Sequence, residues 1–304
     1  EREAPSPAAV LRPLPPVTAG GAPAAQLAGI KRKRPPQLSI SSEICSHAAG
    51  EGSAAPAAPS AAELRELAVD EVSAEGDTYG VSSKRGRRHL STEDTFVALP
   101  GVDGDPLQAV FSVFDGHGGR EAADFAAEHL HGNILGEMQR QQDDGSPSGV
   151  DAALRAGFLA TDSALLGAEA AGGAAAVTAV IKDSTLWVGH VGDCRAVLCR
   201  GGRAEALTRD HRPGAPEERA RVEGRGGAVV QAQGTWRVQG VLGVSRALGD
   251  RDLKPYISAE PEVAGHPITE ECEFLLLGSD GVWDAVENQE AVDVVRARLR
   301  GGPG

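Results

Sequence analysis

The chain is poor in aromatic residues. Phe, Trp and Tyr make up 4% of its 304 residues, so a core must be built mainly from Val, Leu and Ala. Basic residues are in deficit, with 30 Lys and Arg against 43 Asp and Glu and a net charge of -13. Nucleic-acid binding rests on phosphate neutralisation, so this balance argues against a nucleic-acid partner. The carboxylate surplus suits oxygen-seeking cations such as Mg²⁺ or Mn²⁺. Cysteine is scarce: Cys45, Cys194, Cys199 and Cys272 form no CxxC pair and have no histidines at zinc spacing. That argues against a disulfide scaffold or a zinc site and for a reducing compartment. No stretch approaches the roughly 18 consecutive apolar residues of a spanning helix, so no membrane association is expected. The first residue is Glu1 rather than Met, so a targeting peptide can be neither read nor excluded.

What is present divides unevenly. Residues 1–76 are dominated by Ala, Pro, Gly and Ser and carry no sustained period. Such a segment cannot bury enough apolar surface to offset its ordering entropy, which predicts a disordered tail, with one short helix allowed at Ala61–Val69. Residues 77–304 have a different texture. Strand-like apolar runs occur at Thr95–Leu99, Ala109–Phe114, Ala176–Ile181, Thr185–Val191, Arg195–Cys199, Val229–Gln231 and Glu273–Leu277. Gly192-Asp193-Cys194 between two of them predicts a hairpin. Helical period places Ala122, Phe125, Ala126 and Leu130 on one face. A second helix is predicted over Asp151–Leu166. A third follows Asn288 as N-cap, with Val292, Val295 and Leu299 inward. Many short strands with few helices between them predict an α+β fold of antiparallel sheets with helices outside.

Acidic residues recur at strand ends. Val110–Phe114 leads into Asp115-Gly116-His117-Gly118-Gly119, and Phe274–Leu277 leads into Gly278-Ser279-Asp280-Gly281-Val282-Trp283-Asp284. Asp193 stands at the tip after Leu186–Val191, and Glu93-Asp94 precedes Thr95–Leu99. One Asp-Gly pair is an ordinary turn; the repetition is not. Carboxylates gathered on one rim repel unless cations lie between them, and two divalent ions can also activate a water as nucleophile. His117, with a reference pKa of about 6.5, can hold and donate a proton at working pH.

In order along the chain, six motifs resemble the protein phosphatase 2C family of metal-dependent serine/threonine phosphatases over residues 79–299. They are Glu93-Asp94, Asp115–Gly119, Gly192-Asp193-Cys194-Arg195-Ala196, Leu207–Pro213, Val244–Asp250 and Ser279–Asp284. The resemblance implies a central sandwich of two antiparallel β-sheets flanked by α-helices. It implies hydrolysis of phosphoserine or phosphothreonine in proteins by metal-activated water, without a phosphoenzyme, in a monomer. By the same resemblance Asp115 bridges two Mg²⁺ or Mn²⁺ ions, Gly116 offers its carbonyl, Asp280 ligates directly, and Glu93 and Asp94 act through water. Asp193 and Asp284 match positions of a third, weaker ion, and His117 protonates the leaving oxygen.

The chain departs from the family pattern in two consequential places. The family has Arg, three residues, then Glu-Asp; here Arg88 precedes Glu93 by five, and Arg88 is the phosphate-binding candidate, not distinguishable from Arg87. The family's closing Asp-Asn and final strand have no counterpart before Gly304, so the C-terminal part of the fold is expected to be missing. This leaves an alternative of another class, a weakened phosphatase fold that binds or scaffolds kinases. In the tail, Lys31-Arg32-Lys33-Arg34 followed by Leu38 and Ile40 is similar to a motif by which plant type 2C phosphatases dock mitogen-activated protein kinases. A nuclear import signal and a plain solubilising patch are the rival readings, and location is expected in the nucleus, the cytoplasm or both.

Overall fold

The computed structural model describes residues 71–76, 78–86, 92–143, 149–168 and 170–301. The basic run at 31–40, the expected helix at 61–69, and Arg87 and Arg88 lie outside the described residues. Folded chain begins within the stretch assigned to the tail. Strand β1 (Glu71–Glu75) pairs antiparallel with β2 (Gly80–Lys84).

The larger sheet has six strands, all antiparallel. Its order is β12 (Glu262–Pro267), β6 (Thr185–Val191), β5 (Gly173–Lys182), β4 (Ala109–His117) and β3 (Asp94–Pro100), with the short β11 (Leu248–Gly249) also on β5. A second sheet places β7 (Arg195–Arg200) between β13 (Cys272–Gly278) and β8 (Arg203–Ala206). The two sheets share a core. Ala175, Val177, Ala179, Leu186 and Val188 from one pack with Ala196, Leu198, Leu275 and Leu277 from the other.

The opposite face of the larger sheet is covered by helices α1 (Glu121–Asp143) and α2 (Val150–Gly167). Val110, Phe114, Ala174, Ala176 and Val180 meet Ala122, Ala126, Leu130 and Ile134 of α1 and Leu154, Phe158 and Leu165 of α2. The four α1 residues recur at intervals of four, the stripe a helix must present to bury one side. Coverage on both faces explains why β5 reads as a continuous apolar run rather than an alternation. The helices approach closely at Gly157, where a Cβ would fall on the Ile134 side chain and 3.1 Å from its backbone nitrogen. Helix α3 (Pro216–Gly224) and the hairpin β9 (Val229–Ala232)–β10 (Thr235–Val238) enclose a separate small core of Val222, Val229, Val238 and Ile257. Helix α4 (Asp280–Trp283) follows β13, and α5 (Asn288–Leu299) covers the outer face of the smaller sheet through Val292. Among the described residues no helix is long and apolar enough to cross a membrane.

Three expectations are corrected. Thr185–Val191 and Arg195–Cys199 are not a hairpin: β6 and β7 belong to different sheets. Gly192 (φ 84°) turns the chain where a Cβ would collide with Ala175, so the strand leaves its sheet and joins the other. Asn288 is not the N-cap of α5; Glu287 is, and the Asn288 side chain accepts a hydrogen bond from Arg195 Nη1 at 2.8 Å. Leu299 points outward, 67% exposed, because α5 meets the sheet along Val292 near its start.

Candidate metal centre

The register of the larger sheet assembles the site. Asp94 at the start of β3 stands opposite Asp115 of β4, and Asp115, Gly116 and His117 face Ala175, Ala174 and Gly173 of β5. Strand β4 therefore runs three residues beyond the predicted end at Phe114, because the small residues opening β5 keep pairing with it. Alternation then puts Asp115 and His117 on one face with Gly116 on the other. Gly116 has no room for a side chain: a Cβ would lie 2.7 Å from the Glu93 carbonyl oxygen and 3.2 Å from Ala123 Cβ. The Gly116 N–H donates to that Glu93 carbonyl at 3.3 Å, which draws the Glu93-Asp94 segment onto β4. Arg120 Nη1 donates to the Thr92 carbonyl at 3.3 Å and steadies the same segment.

Asp280 arrives from the smaller sheet at the end of β13. Trp283 is buried there and donates its Nε1–H to the Gly278 carbonyl at 2.9 Å, fixing the strand-to-helix turn. The crossing at Gly192 delivers Asp193 to the same place. Asp94, Asp115, Asp193 and Asp280 thus meet where the two sheets come together, and their charges act on one another. Burial pushes Asp115 up to about 9, reinforced by Asp94, Asp280 and Asp193, with Asp280 in hydrogen-bonding contact. Burial likewise raises Asp94, also in contact with Asp115; the Ser279 hydroxyl donating at 2.9 Å opposes that rise, and Asp280 adds to it. Asp193 is raised to about 6 by burial and Asp280, against the pull of Arg212.

Carboxylates at hydrogen-bonding separation must share either protons or cations. Oxygen-only donors of this charge fit hard divalent ions, and Asp94, Asp115 and Asp280 are the residues that could hold them. Asp193 and Asp284 are bridged by one guanidinium, with Arg212 Nη2 at 3.4 Å from Asp193 Oδ2 and 2.7 Å from Asp284 Oδ1. Arg212 thereby sets one positive charge against the two carboxylates expected to hold a further ion. Glu93 joins the site through its backbone.

A second group, His190, His211 and Glu262, has ligand-type atoms within 4.8 Å of one another. The two imidazoles are stacked, 4.3 Å between centroids and 8° between planes. An imidazole binds a metal in its own ring plane, and two parallel separated planes share no point where an ion could sit. Burial and the neighbouring His190 push His211 down to about 2, keeping the ring neutral.

His117 Nε2 lies 2.7 Å from Asp250 Oδ2, with the histidine side chain 30% exposed and the aspartate 9%. The pair sits over Gly173, where a Cβ would fall 2.5 Å from Asp250 Cγ and 2.6 Å from His117 Nε2.

A family model, "Protein phosphatase 2C", matches residues 78–303. The chain belongs to the protein phosphatase 2C family. A relative from Arabidopsis thaliana, "Probable protein phosphatase 2C 2", is 47% identical over 273 residues, 90% of this chain and 69% of its own length. "Probable protein phosphatase 2C 32" from Oryza sativa subsp. japonica is 46% identical over 229 residues, 75% of this chain and 58% of its own. The chain thus spans between 58% and 69% of these relatives. Among solved structures, a serine-threonine phosphatase 2C from Toxoplasma gondii superposes with a TM-score of 0.62 at 28% identity, over 71% of this chain and 82% of that one. A C. elegans sex determining protein gives 0.64 at 29% identity, over 75% and 55%. The sandwich expected from the motifs is the fold observed, and it is the fold of metal-dependent serine/threonine phosphatases, which are hydrolases.

Within this phosphatase 2C domain, Asp250, Ser279, Arg212 and Gly173 were not identified as site residues from the sequence. Asp250 and Ser279 lie inside two of the six family-like motifs, directly after Gly249 and Gly278. Their partners His117 and Asp94 are 133 and 185 residues away, and nothing local signals them.

Proposed function

We propose that this chain is a protein serine/threonine phosphatase whose Asp94–Asp115–Asp280 cluster holds two Mg²⁺ or Mn²⁺ ions beside His117. The observation that carries the reading is the convergence of Asp94, Asp115, Asp193 and Asp280 where the two sheets meet: Asp115 is buried against three acidic neighbours, and its charged form is costly there without a cation beside it. Bound divalent ions supply positive charge for the phosphoryl oxygens and acidify the attacking water.

The protein's own residues do the rest. Asp94, Asp115 and Asp280 would hold the ions, with Asp115 at the centre of the cluster and Gly116 next to it. Ser279 orients the Asp94 carboxylate by donating to Oδ2. His117 protonates the departing serine or threonine oxygen, and Asp250 holds the ring by its 2.7 Å contact with Nε2, which leaves Nδ1 as the nitrogen that delivers the proton. Arg88 remains the candidate for the phosphate itself. No described cysteine serves as nucleophile: Cys194 is buried and its thiol pushed up by desolvation and by Asp115.

Hydrolysis of a phosphothreonine peptide with Mn²⁺, compared between wild type and Asp115→Asn, tests the proposal. A Mn²⁺-dependent rate lost in the variant is expected; equal rates remove the claim. A mitogen-activated protein kinase is the substrate class suggested by Lys31–Arg34, Leu38 and Ile40, acting as a docking segment in the nucleus or cytoplasm. Lys33→Ala with Arg34→Ala should then weaken kinase capture at physiological salt, and unchanged capture would argue for one of the other readings of the basic run.

A further inference from the structure

The turn that carries Asp250 is held from behind. Asp250 adopts a left-handed backbone (φ 54°), an uncommon state for a residue with a side chain, and its N–H donates to the Gly172 carbonyl at 2.8 Å. Gly249 before it is also left-handed (φ 78°), and a Cβ there would come within 2.7 Å of the same carbonyl. The Gly249 N–H donates to Asp162 Oδ1 at 2.8 Å. Asp162 lies on α2, 87 residues away in sequence, in the same helix as the fully buried Phe158 and Leu165. Lys254 Nζ completes the arrangement, 2.8 Å from Asp162 Oδ1 and 3.0 Å from the Ala247 carbonyl.

A carboxylate with a side chain 10% exposed is costly in a helix that otherwise buries apolar residues there. Its two partners satisfy it, and both belong to the segment that presents Asp250. We propose that Asp162, locked by Lys254, is a positioning residue for His117: it pins the 249–250 turn and thereby fixes Asp250 against Nε2. The inference rests on the reading of His117 as proton donor.

The test exploits the leaving group. A phosphothreonine peptide expels an alkoxide that needs a proton; p-nitrophenyl phosphate expels a phenolate that does not. With Mn²⁺ bound, Asp162→Ala is expected to lower kcat on the peptide on the order of ten- to hundredfold, the range a misplacement of about 1 Å produces. KM should be nearly unchanged, and kcat on the aryl phosphate should fall much less. Lys254→Met shifts the peptide rate in the same direction by less. Asp162→Asn keeps an acceptor for the Gly249 N–H and retains most of the peptide rate. In metal-free protein, the low-field imidazole proton shared by His117 and Asp250 is expected in wild type and lost or broadened in Asp162→Ala. Equal losses on both substrates, or an unchanged low-field proton, overturn the proposal. If Asp162→Ala does not fold, Lys254→Met decides: loss selective for the peptide supports the inference and absence of selectivity overturns it. His117→Ala run in parallel separates the two levels. If it lacks leaving-group selectivity, the proton-donor reading itself falls. If it shows selectivity and Asp162→Ala does not, only the positioning role falls.

Discussion

Asp115→Asn is expected to make the metal-free protein more stable at neutral pH than the wild type. Burial and the charges of Asp94, Asp280 and Asp193 raise Asp115 from 3.8 to about 9. An acid that keeps its proton when folded and releases it when unfolded loses stability as pH rises. Its contribution is fully present below the unfolded value of 3.8 and disappears as pH climbs through about 9. One retained proton corresponds to about 1.4 kcal/mol per pH unit, so three units inside this window amount to about 4 kcal/mol. Asp193, raised to about 6, steepens the lower part of the fall. Asn at position 115 has no proton to lose and keeps the shape and the hydrogen bond. The assay is urea unfolding in EDTA at pH 5, 6, 7 and 8. The wild type should lose stability faster with pH than Asp115→Asn by about one proton's slope. With Mn²⁺ in place of EDTA the wild-type slope should diminish or reverse, because ligation requires the ionised carboxylate. Parallel pH profiles in EDTA would refute the reasoning.

Gly173→Ala places a methyl group between Asp250 and His117, and phosphopeptide turnover should drop at least tenfold with little change in KM; an unchanged kcat would show that the pair is not needed. Gly157→Ala drives a Cβ into Ile134 and should destabilise by roughly 1–3 kcal/mol in urea melts without altering Mn²⁺ affinity. Phe158→Ala empties a fully buried position and should cost about 3–5 kcal/mol in the same assay. Ser279→Ala removes the donor to Asp94 Oδ2 and should weaken Mn²⁺ binding, read by calorimetry, while leaving the fold intact.

The sandwich and the acidic rim were legible because they are written locally. Each of Asp115 and Asp280 follows an apolar strand and precedes a glycine, and β3, β6 and β13 lie within a residue of their expected limits. What escaped depends on residues distant in sequence. Strand β4 continues through His117 only because Gly173-Ala174-Ala175 offers small partners, and no feature of 115–117 announces it. The crossing at Gly192 resembles a hairpin turn in sequence, and only its collision with Ala175 distinguishes the two. Helix α3 was missed because it buries little beyond Val222 and the ion-paired Glu218, leaving no apolar stripe to read. In sequence nothing distinguishes Asp162 within the helix predicted over Asp151–Leu166, since its partners Gly249 and Lys254 arrive from far along the chain.

The most direct test of the metal centre is anomalous scattering from crystals soaked in Mn²⁺. Two peaks ligated by Asp94, Asp115 and Asp280, with Asp115 common to both, are predicted. A cluster without anomalous density at saturating Mn²⁺, its carboxylates still bonded to one another, would contradict it.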